Sequence, residues 1–214
     1  MSSVKVINTL LTIMLILICS SCAVGQKIKY HDIHLDIKNN GMHSIAISVL
    51  DNRPYVVDGE KDMSYIGTFR GGWGNPFDVF TESENALAQD MAVVLCDSLN
   101  KNGYQATPLS PVKGEKKEKA IERLLKSNSD RLLLLTINEW YSSTYQNTGL
   151  FYDVSLAVMD KNGEVQAESK VKGEDDLGGD FWNPPANAKA RVPEAYKQKL
   201  ESLINDDSIV EALK

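Results

Sequence analysis

Two alternating runs that flank a tight turn constrain the fold of this chain most strongly. Apolar residues occupy every second position in 150–158, and Val165, Ala167, Ser169 and Val171 alternate in the same way with polar residues in 165–171. The segment from Asp160 to Gly163 lies between them and contains the Asn-Gly pair that favours a hairpin turn. A strongly apolar run at 131–141 precedes them. The three runs predict an antiparallel meander with one buried face and one charged face.

The rest of the sequence mixes strand patterns with helical patterns. The helix predicted at 81–102 starts with a capping box of Thr81 and Glu84 and ends at Asn102-Gly103. Because helices fall between strands and after them, we expect an α+β fold. It would be a two-layer domain with a mostly antiparallel sheet, a C-terminal meander and helices packed on one face. The other predicted strands are 30–37, 45–50, 65–69 and 104–109, and the other predicted helices are 115–126, 193–205 and 207–213.

The N-terminal segment has the layout of a bacterial lipoprotein signal. Lys5 is followed by an apolar run at 10–18 and then by Cys19, two serines and Cys22. The run is too short for a membrane span, which needs about 20 apolar residues, and it fits an export signal. Cleavage would leave Cys22 as the first residue of the mature protein and as the lipid carrier. Cys19 stands where such signals usually have Leu, so an ordinary cleaved signal and an uncleaved anchor are the alternatives.

These features predict three regions. Residues 1–21 are a signal peptide, 22–29 a lipidated tether and 30–214 a single globular periplasmic domain. A diacylated and N-acylated cysteine, carrying chains such as palmitate, anchors a protein stably. Ala23 follows the cysteine, where an Asp would retain the protein at the inner membrane, as in enterobacterial sorting. We therefore expect the periplasmic face of the outer membrane, with exposure on the cell surface as an alternative.

The charge of the chain limits the classes of molecule that it is expected to bind. Removal of the signal takes away only Lys5 among the charged residues, so 22 basic side chains face 29 acidic ones and the net charge is −7. This acidic balance argues against nucleic acid and against an anionic lipid face as partner.

With Cys19 removed and Cys22 lipidated, Cys96 is left without a partner for an intrachain disulfide. We expect Cys96 to be a half-buried small hydrophobe, with a reactive or intermolecular thiol as the alternative.

Two predicted loops, 71–77 and 178–185, share a pattern in which a glycine pair precedes an aromatic residue and then Asn-Pro. Large aromatic side chains in loops are costly to leave in water unless they pack or bind. The loops are therefore candidates for one edge that binds a protein or a ligand, and the alternative is that both fold back to plug the sheet. The candidate binding residues are Trp73, Asn75, Phe77, Phe181, Trp182 and Asn183.

No catalytic residue can be assigned from the sequence. Acidic residues at 174–180 lie beside aromatic residues and could act on glycan together with Asp51 or Glu139. Glycoside hydrolysis needs two carboxyl groups at a defined separation across a cleft, which four acids of one loop do not establish. Solvated loop acids, or a weak cation site, are the simpler interpretation.

Two further clusters have an ordinary structural explanation. Asp32, His34 and Asp36 share one face of a predicted strand, but ligands two residues apart on a flat strand are poorly placed for a tetrahedral metal shell. The polar group Asp51-Asn52-Arg53 follows a predicted central strand and could line a site. Together with the following proline it is also common turn chemistry.

Some of these residues resemble the YajG-type bacterial lipoproteins. The resemblance is carried by Gly103-Tyr104 after a long amphipathic helix, by the strands at 132–138 and 152–158, and by the ending at 207–213. It extends over about residues 43–213. It implies an outer-membrane lipoprotein without known catalytic residues, and it supplies no functional residue to transfer. The two tryptophan loops have no counterpart in that family.

The expected function is non-enzymatic. We expect a lipid-anchored envelope protein that binds another protein or an envelope component in the periplasm, without cofactor, metal or nucleic acid. The alternatives are an envelope glycan hydrolase and an accessory lipoprotein of a transport or secretion system.

Overall fold

Residues 26–214, the part that this computed structural model describes, form eight strands and five helices. The predicted signal peptide and Cys22 lie outside this part. The strands are β1 Lys27–Ile28, β2 Ser44–Asp51, β3 Tyr65–Arg70, β4 Pro76–Thr81, β5 Gln105–Pro108, β6 Arg131–Thr144, β7 Asn147–Asp160 and β8 Val165–Gly179. The helices are α1 Pro54–Val57, α2 Leu87–Lys101, α3 Lys117–Leu125, α4 Pro184–Ile204 and α5 Asp207–Ala212. The predicted α+β class is confirmed.

The meander predicted from the alternating runs is present. Strand β7 pairs antiparallel with β6 and with β8, and both ladders run over most of their length. The turn between β7 and β8 closes where the Gly163 amide donates to the Asp160 carbonyl at 3.0 Å. Gly163 has φ +85°, a conformation that glycine adopts without steric cost. The local sequence signal therefore sets this hairpin.

Strand β6 is the central strand of the sheet. One of its edges pairs with β7 throughout, while the other edge is shared by two parallel strands. Strand β2 pairs with residues 131–137 of β6, and strand β3 pairs with residues 142–144 of β6. Strand β5 then extends the sheet beyond β2, and β4 and β1 extend it beyond β3. The longest ladders are antiparallel as predicted, but four of the seven strand pairs among the described residues are parallel.

Helices cover both faces of the sheet because successive residues of its central strands β2 and β6 are apolar and point to opposite faces. The main core lies on one face, where Ile45, Ile47, Leu133 and Leu135 point toward residues of α2, α4 and α5. This is the helical layer that the sequence predicts. The short helix α3 lies on the opposite face, and its apolar residues pack in a smaller cluster. The members of that cluster are Ala46, Leu50, Ala120, Leu124, Leu132, Leu134 and Met159.

The segment 30–37 is not a strand, which corrects the prediction. Its alternation is real, since Tyr30 and Leu35 are buried and Ile33 packs against the core. Its backbone, however, bonds to side chains of the helical layer. The Leu35 amide donates to Ser98 Oγ at 3.0 Å and the Asp36 amide to a Glu201 carboxylate oxygen at 2.7 Å. The segment therefore lies along the helices and outside the sheet.

The start of α2 also differs from the predicted capping box. Thr81 is the last residue of β4, a strand absent from the prediction, and its hydroxyl donates to the Asn85 carbonyl at 2.6 Å. Glu84 has φ +61°, which is incompatible with a helical first turn. The helix begins six residues later than predicted, at Leu87, and ends as expected before Gly103.

Helix α4 is longer than predicted because its cap lies further upstream. Asn183 accepts a hydrogen bond from the Ala186 amide at 3.2 Å, and Pro184 occupies the first turn, where proline is tolerated. Pro193, predicted as the start, lies inside the helix. Strand β8 also extends to Gly179, so the connection that was expected to span 174–185 is shorter.

The first strand shortens the predicted tether. Lys27 and Ile28 pair parallel with β4, and Tyr30 is fully buried against Tyr196, with ring centroids 4.4 Å apart. The domain therefore starts within the 22–29 segment. Its first described residue, Gln26, accepts a hydrogen bond from the Phe80 amide at 2.9 Å.

A buried ion pair joins β2 to β3. Arg53 has no exposed surface, and its Nε and Nη2 donate to the two carboxylate oxygens of Asp51 at 2.8 and 2.7 Å. The same guanidinium donates to the carbonyls of Tyr65 and Met63. The polar group after β2 is thus neither a simple exposed turn nor an open site.

We expect Arg53→Met to lower the free energy of unfolding by about 3–5 kcal/mol, because it leaves the Asp51 carboxylate buried without its partner. Urea unfolding followed by circular dichroism measures the change. The control is Arg191→Met, which removes an exposed pair with Glu194 and should change stability by less than about 1 kcal/mol. Equal effects of the two substitutions would contradict the structural role of the buried pair.

Candidate functional site

Three connections of the chain meet at one end of the sheet. Phe69 of β3 pairs with Thr144 of β6, and Asn147 of β7 pairs with Gly179 of β8. The β3–β4 turn, the β6–β7 turn and the β8–α4 loop follow these positions directly. Strand register therefore brings together the two loops that share the glycine-aromatic pattern.

This end of the sheet carries large apolar side chains in solvent. Trp73 is 99% exposed, Trp182 is 90% exposed and Phe181 is 70% exposed. Tyr145, in the β6–β7 turn, is also exposed. We call these four residues the aromatic end. Exposed aromatic groups of this kind mark interaction surfaces, because leaving them in water is unfavourable.

A cleft of about 420 Å³ separates the two loops. Phe69, Arg70 and Gly72 line one side, and the segment 181–185 lines the other. The rings of Phe181 and Trp182 meet edge to face, with centroids 5.3 Å apart. The alternative in which the tryptophans plug the sheet does not describe this arrangement, since both indoles point into solvent.

The other predicted residues build the loops. Phe77 stacks on Phe69 with centroids 6.3 Å apart, and the Asn75 carbonyl accepts from the Gly71 amide at 3.0 Å. Asn183 caps α4. The predicted set therefore divides into three exposed aromatic residues and three residues that hold the loops in shape.

Three aspartates near the second loop make hydrogen bonds or an ion pair within the fold. The Asp180 carboxylate accepts from the amides of Trp182 and Asn183 at 2.8 and 3.0 Å, which fixes the turn that presents the indole. Asp176 accepts from the Gly178 amide at 2.9 Å. Asp175 pairs with Lys199 at 2.6 Å. Three of the four acids at 174–180 thus make turn or pairing contacts, and the fourth, Glu174, lines a groove.

An open groove of about 770 Å³ crosses strands β6, β7 and β8 and brings Glu139 together with Glu174, a pairing that the glycan-hydrolase alternative names, whereas the sequence did not point to Asp153. Glu139 and Asp153 face each other there beside a bulge at Asn138, and Glu174 lines the same groove. Their proximity depends on cross-strand register, which no local sequence pattern reveals. The Glu139 carboxylate accepts from the Tyr55 hydroxyl at 2.7 Å.

Lysine side chains neutralise the acid at the centre of this groove. Asp153 binds Lys170 at 2.8 Å and Lys172 at 3.0 Å. Burial raises the pKa of the Asp153 carboxyl, but hydrogen bonds from both lysines and from Asn138 outweigh it and hold the pKa below its ordinary value. A general acid for glycan cleavage needs a raised pKa, so Asp153 is unsuited to that role.

The predicted acid and histidine face of segment 30–37 is dispersed. His34 Nε2 lies 2.7 Å from Lys101 Nζ, while the Asp36 carboxylate pairs with Lys197 at 2.8 Å. Asp32 pairs with Lys29. Within residues 26–214 no group of three His, Cys, Asp or Glu side chains is arranged to hold a metal ion.

Cys96 is buried in the helical layer. Its thiol donates to the Ala106 carbonyl at 3.2 Å and accepts from the Asn100 amide group at 3.4 Å. Burial raises the pKa of this thiol, which keeps it in the unreactive protonated form.

No protein-family model and no curated protein matches this sequence. Among solved structures, a Xanthomonas campestris protein of the DUF330 family is similar with a TM-score of 0.47 and 10% identity, over 85% of this chain and 94% of that one. A PelC dodecamer from Paraburkholderia phytofirmans is similar with a TM-score of 0.38 and 14% identity, over 82% and 96%. The lipoprotein GNA1162 from Neisseria meningitidis is similar with a TM-score of 0.30 and 15% identity, over 72% and 97%.

These neighbours include a bacterial lipoprotein, but at such low identities and TM-scores they assign no function to this chain. The YajG resemblance stays a prediction. None of the helices in residues 26–214 has the length and apolar character needed to cross a bilayer.

We expect Asp153→Asn to lower stability at neutral pH and to have little effect in acid. The folded pKa lies below the unfolded value of about 3.9, so the stabilisation is present above that pH and is lost as the pH falls through the folded pKa. Urea midpoints at pH 7 and pH 3 should differ less in the variant than in the parent protein. Asp97→Asn, in an exposed helix position, is the control. A stability deficit of equal size at both pH values would contradict the lysine pairing as its cause.

Proposed function

We propose that this chain is a non-enzymatic, lipid-anchored envelope protein whose domain contacts a further envelope component through the aromatic end. The lipid is carried by Cys22, and the expected location is the periplasmic face of the outer membrane. The component is another protein or another constituent of the envelope. The observation that carries this proposal is the meeting of two aromatic loops in solvent at one end of a well-packed domain.

The exposed aromatic residues are unlike the rest of the described chain. Most of its large apolar side chains are buried, and Trp140 and Tyr196 lie deep in the core with no exposed surface. A rigid turn presents Trp182, because Asp180 binds two backbone amides of the loop. A preorganised aromatic group loses little entropy on binding and is typical of contact surfaces.

Several contacts support a role without catalysis. Asp51 forms a buried ion pair with Arg53, and two lysines hold Asp153 in its ionised form. Asp176 and Asp180 bind backbone amides of the second loop, and Asp175 binds Lys199. The glycan-hydrolase alternative is left with Glu139 and Glu174 in the open groove, so it has less support than the contact function. An accessory role in a transport or secretion system is one form of the proposed contact function.

Lipid anchoring is tested by cysteine substitution in the signal. We expect Cys22→Ser to abolish palmitate labelling and to remove the protein from the membrane fraction, because the acylated side chain is lost. The matched control is Cys19→Ser, three residues earlier, which should keep both labelling and membrane association. Acyl labelling that persists in Cys22→Ser would overturn the anchor.

The contact function is tested by photocrosslinking in whole cells. A photoreactive residue at position 73 or 182 should form adducts with an envelope component, because both side chains point into solvent. The control position is 165, where Val165 is exposed at the far end of β8. Adducts that are no more abundant at 73 and 182 than at 165 would contradict a contact at the aromatic end.

A further inference from the structure

The chain enters the domain from the end of the sheet that carries the aromatic residues. Strand β1 is parallel to β4, with Lys27 opposite Phe80. Strand β4 begins at Pro76, directly after the β3–β4 turn that bears Trp73. The N-terminal end of β1 therefore faces the aromatic end. Gln26 is level with Val79, about 10 Å along the strand from Pro76.

The predicted lipid lies within a short reach of this entry point. Cys22 precedes Gln26 by four residues, and a fully extended chain of that length spans at most about 14 Å. The sheet end near Gln26 is thus held close to whichever membrane holds the acyl chains. A partner protein bound to the aromatic end would have to fit between the domain and that membrane.

The exposed side chains have the chemistry of a membrane interface. Indole groups concentrate at the boundary between lipid headgroups and acyl chains, where an apolar ring and a polar N–H are both accommodated. Trp73 and Trp182 present such rings, and Phe181 adds apolar surface beside them. Arg70, which lines the cleft between the loops, adds a positive charge to this end of the sheet.

We propose that the component contacted by the aromatic end is the bilayer that holds the Cys22 lipid. This inference rests on the proposed lipid anchoring. Trp73, Phe181 and Trp182 enter the interface and form a second attachment beside the acyl chains. The two attachments orient the sheet with the β3–β4 turn toward the membrane and the β7–β8 turn away from it.

The distribution of tryptophan makes a direct test available. The chain has three tryptophans, of which Trp73 and Trp182 are exposed at the aromatic end and Trp140 is 0% exposed in the core. Full-length lipidated protein is reconstituted in phosphatidylcholine vesicles with plain or brominated acyl chains. Bromine quenches an indole only at short range, so emission reports which tryptophans reach the acyl-chain boundary.

We expect the emission of the parent protein to be lower in brominated vesicles than in plain ones. Trp73→Phe and Trp182→Phe should each retain part of this loss, because one exposed indole remains. The double variant Trp73→Ser/Trp182→Ser should give equal emission in the two vesicles, since Trp140 is shielded by the fold. These three results together support insertion of the aromatic end.

The remaining outcomes separate the inference from the function on which it rests. If the lipidated protein does not float with the vesicles, lipid anchoring fails and the inference fails with it. If the protein floats but its emission is the same in both vesicles, the aromatic end does not enter the bilayer. That result overturns the inference and leaves the anchored protein with a protein contact at this end. Quenching that persists in the double variant also overturns it.

Discussion

The guanidinium of Arg53 lies without exposed surface at the point where β2 ends and β3 continues the pairing with β6. A buried charge is tolerated only when its partners are complete, and here Asp51 and two backbone carbonyls complete them. The Tyr65 carbonyl is one of those partners, so the pair positions the start of β3. The path of β3 toward its distal turn follows from that position.

Strand register carries this constraint to the aromatic end of the molecule. The long strand β6 pairs with β3 near Thr144, and its turn into β7 lies beside the end of β8 at Gly179. Three connections far apart in sequence thus share one end of a single sheet. Asp180 then fixes the last of them through two backbone amides. The aromatic end is a consequence of sheet geometry, with side chains added in the turns.

Sequence patterns predicted the structural features that depend on residues close together in the chain. The Asn-Gly hairpin after Asp160 and the core strands follow from periodicity and turn chemistry, whereas the loop pattern left open whether the aromatic residues are exposed or plug the sheet. Segment 30–37 has strand alternation, yet its amides bond to Ser98 and Glu201, which lie far along the chain. The groove at Glu139 and Asp153 depends on a bulge and on pairing across strands. Such non-local choices have no signature in a single sequence.

The acidic charge of the domain bears on the proposed contact between the aromatic end and the bilayer. With the proposed cleavage before Cys22 the net charge is −7, and an anionic leaflet repels such a chain over about one Debye length, roughly 8–10 Å at moderate ionic strength. The proposed lipid at Cys22 would hold the start of the domain within about 14 Å of its anchor, a distance comparable to the Debye length, but would not fix its orientation. Apolar rings gain free energy in the interface irrespective of lipid charge. In the proposed membrane contact, Trp73 and Trp182 supply an acidic domain with an attraction that is not electrostatic, next to its proposed point of attachment.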